Sequence, residues 1–248
     1  MGTPDIAVSV LEALAKEHEV VLAVSQPDKP KGRGGRTQPT PVKEAALALG
    51  IPVFQPGRVR SETCMAELRK YHADVIVVIA FGQIIPKEIL EMTPYGCINI
   101  HASLLPKYRG AAPINWAILD GEDETGVTIM FMAEGMDTGD ILAQRATPIR
   151  LDENAAQLFD RLAQMGAELL VETVAGIEAR TVKAAPQDES RASHAPMLSR
   201  EPSPMDWSRT ARQLHDQVRG LYPWPAAVTA VDGVRCKILR TALGEDAG

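Results

Sequence analysis

From Glu19 onward short apolar runs alternate with segments of helical period: EVVLAVS, PVKEAALALG, ADVIVVIAFG, CINIH and GVTIMFM follow one another along the chain. Brief apolar, β-branched runs bounded by turn residues read as buried strands, and the amphipathic stretches between them as crossover helices. The pattern predicts an α/β fold around a mostly parallel sheet. The beginning departs from it. Thr3, Pro4 and Asp5 read as a helix start, with Thr as N-cap and Pro at the first helical position, followed by Ile6, Val10, Leu11 and Leu14 at helical spacing. A βαβ unit puts a strand and a tight glycine turn ahead of such a helix, yet only Met1 and Gly2 stand there. In a doubly wound sheet the first strand is central, so the expectation is a Rossmann-like sheet with its first strand missing.

Toward the other end, residues 184–206 are rich in Pro, Ser and charge and read as a linker. A short helix over about Ser208 to Gly220 is predicted next. After Tyr222-Pro223-Trp224-Pro225, the stretch AAVTAVDGVRCKILR predicts two strands joined by an Asp232-Gly233 turn. A lone hairpin is marginal in water, so these residues read as the opening of a β domain. The predicted organisation is an α/β domain over 1–183, a linker over 184–206 and the start of a β domain over 207–248.

Composition sharpens the class. With 45% hydrophobic and 23% charged residues in a chain of 248, disordered and fibrous proteins are excluded. The longest apolar run, Val75 to Phe81, is seven residues, against roughly 20 needed to cross a bilayer. No basic and apolar leader opens the chain, so a cytoplasmic protein without a membrane partner is expected, as a monomer. Three scattered cysteines without a CxxC pair argue against a disulfide framework or a zinc site. The net charge of −6 speaks against nucleic-acid binding by bulk attraction. The charge is unevenly spread, however. Lys29 to Arg36 carries four basic residues and no acid, whereas Gly110 to Gln144 carries seven acids and no Lys or Arg. An anionic partner must be met locally.

Three features carry candidate chemistry. In CINIH, Asn99 and His101 stand at i and i+2 and so share one face of the predicted strand. An amide can donate to a developing oxyanion, and an imidazole can move protons near neutral pH; a hydrogen-bonded edge histidine fits the same pattern. Glu134-Gly-Met-Asp-Thr-Gly-Asp140 brackets Asp137 with glycines, which suits a tight loop presenting one carboxylate, or a plain turn. Met130, Met132 and Met136 read as core fillers. Asp28-Lys-Pro-Lys-Gly-Arg-Gly-Gly-Arg-Thr37 lacks the P-loop ending and is a flexible basic loop, suited to phosphates or simply solvated.

Taken together, these segments resemble the bacterial methionyl-tRNA formyltransferase family: GTPD, QPDKPKGRG with PTPVK, ADVIVVIAFGQIIP, GCINIHASLLPKYRGAAPI, ETGVTIM, GMDTGDI, and the late MDW and PWP occur in consistent order from Gly2 to about Pro225. The resemblance implies a folate-dependent formyltransferase domain followed by an OB-like β-barrel. It implies 10-formyltetrahydrofolate as formyl donor, initiator methionyl-tRNA as acceptor and no metal. Asn99, His101 and Asp137 fall on the catalytic amide, imidazole and carboxylate of that class. Ser103, Leu104, Leu105 and Pro106 fall on its folate loop, with Phe81, Gly82, Ile84 and Ile85 as an apolar wall. Lys29, Lys31, Arg33 and Arg36 fall on its tRNA-binding loop.

The departures from the family pattern are an abbreviated start, an incomplete barrel, and Met197 where SHAPMLSRE usually carries a lysine. The readings to separate are a methionyl-tRNA formyltransferase, another 10-formyltetrahydrofolate enzyme acting on an amino sugar or on water, and an inactive truncated product that retains ligand binding.

Overall fold

A computed structural model describes residues 1–30 and 37–244. In chain order its helices are α1 (Ile6–Glu17), α2 (Pro41–Ala48), α3 (Glu62–Arg69), α4 (Lys87–Leu90), α5 (Pro113–Leu119), α6 (Ala155–Glu178) and α7 (Ala211–Gly220). Its strands are β1 (Ala23–Val24), β2 (Lys29–Pro30), β3 (Thr37–Gln38), β4 (Val53–Phe54), β5 (Ile76–Val78), β6 (Cys97–His101), β7 (Arg109–Gly110), β8 (Glu124–Phe131), β9 (Ile141–Pro148), β10 (His194–Ala195), β11 (Ala227–Val231) and β12 (Val234–Ile238). Two compact units emerge, and each draws on three stretches of chain. The first comprises Met1–His101, Thr128–Ala143 and Ala163–Gln187, the second Ala102–Val127, Gln144–Leu162 and Asp188–Gly248.

The principal sheet has the order β5-β6-β8-β9. β5 and β6 are parallel, while β6 and β8 are antiparallel. β1 pairs with β4 in parallel as a separate two-stranded piece. The strand expected ahead of α1 is reduced to a bridge: Gly2 N–H donates to the Val24 carbonyl at 2.9 Å, and Gly2 pairs with Ile79. Thr3 does not cap α1. Its hydroxyl donates to the Phe81 carbonyl at 3.2 Å, and the N-cap position falls to Asp5 without a side-chain bond. The hydroxyl is engaged across the fold and so is not free for its own helix. α2 and α3 follow the capping rule, with Thr40 and Ser61 accepting from the amides of Lys43 and Cys64.

The core of the first unit gathers Val59, Phe81, Ile85, Ile89 and Cys97, with Ile98 and Ile129 fully buried on the sheet. Met130 is core as expected, but Met136 is 70% exposed because it lies on the loop beyond β8, past the end of the strand alternation.

In the second unit, α7 begins with a capping box made by Thr210 and Gln213. β11 and β12 form the expected hairpin, Val231 opposite Val234. Asp232 and Gly233 have φ of 50° and 77°, the pair of left-handed residues that a two-residue hairpin turn demands. The 184–206 stretch is more ordered than a linker. It holds a 3-10 turn at Glu189–Arg191, and β10 pairs in parallel with β7. Its polar residues are what order it: the Ser193 hydroxyl accepts the Tyr108 amide, and the Trp116 indole donates to the Pro196 carbonyl.

Burial separates two isoleucines cleanly. Ile98 is 0% exposed and Ile84 is 74% exposed. Ile98→Ala is expected to destabilise by about 2–5 kcal/mol through lost transfer energy and a residual cavity, and Ile84→Ala by less than about 0.5 kcal/mol. Urea unfolding followed by circular dichroism measures both.

Candidate active site

β6 carries the first two residues. It is paired on both sides, Asn99 lying opposite Val78 of β5 and Met130 of β8, and His101 opposite Thr128. The Asn99 amide nitrogen donates to the Val78 carbonyl at 2.8 Å. Only the NH2 end of an amide can meet a carbonyl, so this bond sets which way the side chain points and leaves its second N–H for another acceptor. His101, two residues on, is buried with 6% exposure.

The carboxylate comes from the loop that joins β8 to β9. Asp137 Oδ2 lies 3.6 Å from His101 Nδ1. That is longer than a direct hydrogen bond and short enough for a strong charge interaction with a protonated ring. Asp137 has φ of 53°, a left-handed backbone that the loop must hold in place. Gly139 lets the chain double back: a Cβ there would sit 1.8 Å from the Phe131 carbonyl oxygen. The loop is closed by the Phe131 N–H donating to the Asp140 carbonyl at 2.9 Å.

Sequence reasoning missed Gln187. Its side-chain amide donates to the carbonyls of Asp137 at 2.9 Å and Gly139 at 2.7 Å, so it clamps the peptide on either side of Thr138. A glutamine inside a Pro- and charge-rich stretch carries no periodic signal. The Ile141 to Ala185 bridge, with amides exchanging at 2.8 and 2.9 Å, is what delivers it to the loop.

Other expected residues of the first unit fall in different settings. Phe81 and Ile85 are core residues, 2% and 7% exposed, while Ile84 points outward. Gly82 has φ of 79°, and a Cβ there would meet the Gln26 amide at 2.3 Å. Lys29 donates to the Gln26 side chain at 2.8 Å. Lys31, Arg33 and Arg36 lie outside the described residues.

Ser103 to Pro106 belong to the second unit, where the turn they form is tightly held. The buried Ser103 hydroxyl donates to the Lys107 carbonyl at 2.6 Å, and Gln144 donates to the Leu105 carbonyl at 2.9 Å. Leu105 is 3% exposed. Next along the chain, the Tyr108 hydroxyl donates toward Asp120 at 3.1 Å and Glu122 at 3.0 Å. Burial, and then the charge of Asp120, push that hydroxyl above its usual range. A hydrogen bond from Lys107 holds the Glu122 carboxyl below its own. Arg109, 4% exposed, makes a two-pronged bond to Glu189 at 2.8 and 2.7 Å.

An amide and an imidazole on one strand face, with a carboxylate behind the imidazole, suit transfer of an acyl group between nitrogens: a donor for carbonyl oxygen and a relay for a proton. The comparisons agree with that chemistry. Residues 1–174 match the formyl transferase family, and residues 197–248 match the formyl transferase C-terminal domain. The methionyl-tRNA formyltransferase of Pelobacter propionicus is 51% identical over 249 residues, covering 100% of this chain and 78% of that protein. That of Heliobacterium modesticaldum is 52% identical over 244 residues, covering 98% and 77%. The chain belongs to the methionyl-tRNA formyltransferase family, and it spans about 78% of the length of such relatives.

Among solved structures, the N-formyltransferase of Helicobacter canadensis in complex with folinic acid and dTDP-3-aminofucose superposes with a TM-score of 0.74 at 21% identity, over 99% of this chain and 87% of that one. WlaRD, a sugar 3N-formyl transferase solved with dTDP and 5-N-formyl-THF, gives 0.73 at 23% over 99% and 85%. At these identities the likeness is one of fold. Among the described residues no helix is long and apolar enough to cross a membrane.

Because the side-chain amide of Gln187 holds two backbone carbonyls of the Asp137 loop, Gln187→Ala is expected to lower kcat for formyl transfer by about ten- to a hundred-fold, through misplacement of the carboxylate by a fraction of an ångström to an ångström, and to leave KM for both substrates near the parent value. Gln187→Glu, which cannot donate to the two carbonyls, should behave the same way. Steady-state kinetics on the two variants checks this.

Proposed function

We propose that this chain transfers the formyl group of 10-formyltetrahydrofolate to the α-amino group of methionine carried on initiator tRNA, the modification that precedes translation initiation. The identity of about 51% along the whole chain to methionyl-tRNA formyltransferases carries this reading. The catalytic groups in this proposal are Asn99, His101 and Asp137, and the donor set fits the cosubstrate: Asn99 keeps one amide N–H after its bond to Val78, and His101 has a carboxylate at 3.6 Å.

The folate supplies an activated formyl carbon. The acceptor supplies a neutral amine, since an α-amino group titrates near pH 8 or below. Asn99 donates to the oxygen of the formyl carbonyl as charge grows on it. His101 takes the proton that the amine sheds and returns it toward the departing nitrogen. Asp137 stabilises the ring while it carries that proton. Ser103, Leu104, Leu105 and Pro106 serve the folate, together with the backbone at Gly82 and the exposed Ile84; Phe81 and Ile85 support that segment from the core. Lys29, Lys31, Arg33 and Arg36 meet tRNA phosphates. In this reading residues 1–183 are catalytic, 184–206 connect, and 207–248 open the tRNA-binding domain.

A second reading, formyl transfer to an amino sugar, is raised by the fold neighbours, which are sugar N-formyltransferases at 21% and 23% identity. The test is single-turnover formylation with 10-formyltetrahydrofolate and, in parallel, methionyl-tRNA, an amino-sugar nucleotide or water as acceptor. Methionyl-tRNA is expected to be the productive acceptor, with Asn99→Ala slowed about 10²–10³-fold as one oxyanion donor is lost and Asp137→Ala slowed about 10²–10⁴-fold. Faster turnover of the sugar, or parent-like rates in either variant, would refute the assignment.

The basic loop has its own signature. Arg33→Ala combined with Arg36→Ala is expected to raise KM for tRNA and to flatten its dependence on log salt by up to about 0.7–0.9 for each phosphate that is no longer neutralised. KM for the folate should not change.

A further inference from the structure

An acid stands at the entrance of the basic stretch. Asp28 directly precedes Lys29, and every other charge from there to Arg36 is positive. A free carboxylate at that position would repel an anionic partner. Its own partners give it a different use. Asp28 Oδ2 accepts from the Lys43 ammonium at 2.5 Å, and Oδ1 accepts from the Gln55 side-chain amide at 2.6 Å. The bond from Gln55, and then that from Lys43, hold the carboxyl below its ordinary value, so it meets these donors as an ion at neutral pH.

The two donors come from different elements. Lys43 lies in the first turn of α2, and Gln55 follows β4 at the point where the parallel pairing with β1 sets Phe54 opposite Val24. Gln55 therefore emerges beside the chain that leaves β1, and its amide nitrogen also donates to the Gln26 carbonyl at 2.8 Å. A second tie lies three residues earlier on each side: the buried Ser25 and Thr40 hydroxyls meet at 2.6 Å, while Thr40 accepts the Lys43 amide as the cap of α2. Residues 29–39 are thus closed at their root by two side-chain pairs, Ser25 with Thr40 and Asp28 with Lys43. Inside that root β2 and β3 pair, Lys29 opposite Gln38 and Pro30 opposite Thr37.

The same bonds sort two lysines. Half-buried Lys43 is neutralised by Asp28. Exposed Lys29 donates instead to a neutral group, the Gln26 side-chain carbonyl, at 2.8 Å, and Gln26 is fixed by its other end on the Phe81 carbonyl, also at 2.8 Å. Among the described residues no acid pairs with Lys29, so its charge stays uncancelled. An ammonium has three N–H groups, which leaves Lys29 donors for an anion while it keeps its bond to Gln26.

We propose that Asp28 is a positioning residue for tRNA: its carboxylate ties the root of the basic stretch to α2 and to Gln55, and takes Lys43 as its counter-charge while Lys29 is presented uncancelled to phosphate. This rests on the assignment of the stretch to tRNA under the proposed function. A root that is already tied loses less freedom when the ligand arrives, which tightens binding without a new contact. Charge alone acts in the opposite direction, because removing an acid beside a phosphate site raises the local positive potential. The sign of the effect therefore tells positioning from charge.

The test is steady-state formylation with Asp28→Asn and with Asp28→Asn combined with Lys43→Met. The single variant keeps the side-chain shape, removes the negative charge and leaves the Lys43 ammonium without its counter-ion. It is expected to raise KM for methionyl-tRNA about three- to tenfold, with kcat at saturating tRNA and KM for 10-formyltetrahydrofolate near the parent values. The double variant has the parent's net charge and lacks the tie, and KM for tRNA is expected to stay raised. Exchange of the Lys29, Thr37 and Gln38 amides is expected to quicken at least about threefold in both. A lower KM for tRNA in the single variant, or a parent-like KM in the double one, would trace the effect to charge and overturn the proposal. So would parent-like amide exchange in both. A parent chain that formylates an amino sugar in place of methionyl-tRNA would overturn the proposed function and this proposal with it. That failure is read on the parent chain alone, and so is distinct from a failure of the Asp28 assignment.

Discussion

A strand paired on both sides cannot slip by one residue without turning all its side chains to the other face, and β6 is such a strand. Its parallel register with β5 and antiparallel register with β8 set Asn99 opposite Val78 and Met130, and His101 opposite Thr128. The rest of the site depends on this double pairing. It gives the amide a neighbouring carbonyl to bind and puts the imidazole on the same face. Both faces of the strand are packed, Ile98 being buried on one and Cys97 and His101 on the other, so a slip of one residue would displace the core and the two polar side chains together.

The carboxylate needs a different kind of restraint, since a loop has no ladder to hold it. Here the restraint is steric and polar at once. Gly139 is the residue that can lie against the Phe131 carbonyl, and Asp137 is held in a left-handed backbone. Left-handed conformation costs a non-glycine residue on the order of 1 kcal/mol or more, and two hydrogen bonds from Gln187 offset it at roughly 0.5–1.5 kcal/mol each. The return is electrostatic. At 3.6 Å a carboxylate and an imidazolium attract by about 1 kcal/mol in water and about 4 kcal/mol at the effective dielectric of a protein surface.

Much of this was legible in the residue order because it rests on local periodicity. The i, i+2 relation of Asn99 and His101 needs only the knowledge that CINIH is a strand. The Asp232-Gly233 hairpin and the place of α7 likewise follow from short-range chemistry. What escaped was decided by partners distant in sequence. Strand alternation reports faces and not direction, so nothing in GVTIMFM announces that β8 runs antiparallel to β6. Thr3 has the identity of a cap, but its hydroxyl answers to Phe81, 78 positions away. Met136 looked apolar enough for the core and lies outside on the loop beyond the strand.

The 184–206 stretch shows why composition misleads in a particular way. Proline, serine and charge are scarce in cores, so a segment made of them reads as a solvated connection. Yet polar residues order a chain when their partners are buried backbone or buried charge. Arg109 is 4% exposed whereas Glu189, its two-pronged partner, is largely in solvent. The pair is therefore asymmetric: the carboxylate would be well hydrated alone, while the buried guanidinium gains two charge-assisted bonds from the carboxylate that the segment brings to it. With the carboxylate exposed and the cation buried, solvent screens the pair on one side only. The pair joins the hydrogen bonds of Ser193 and Pro196 in ordering a segment that has little apolar content of its own.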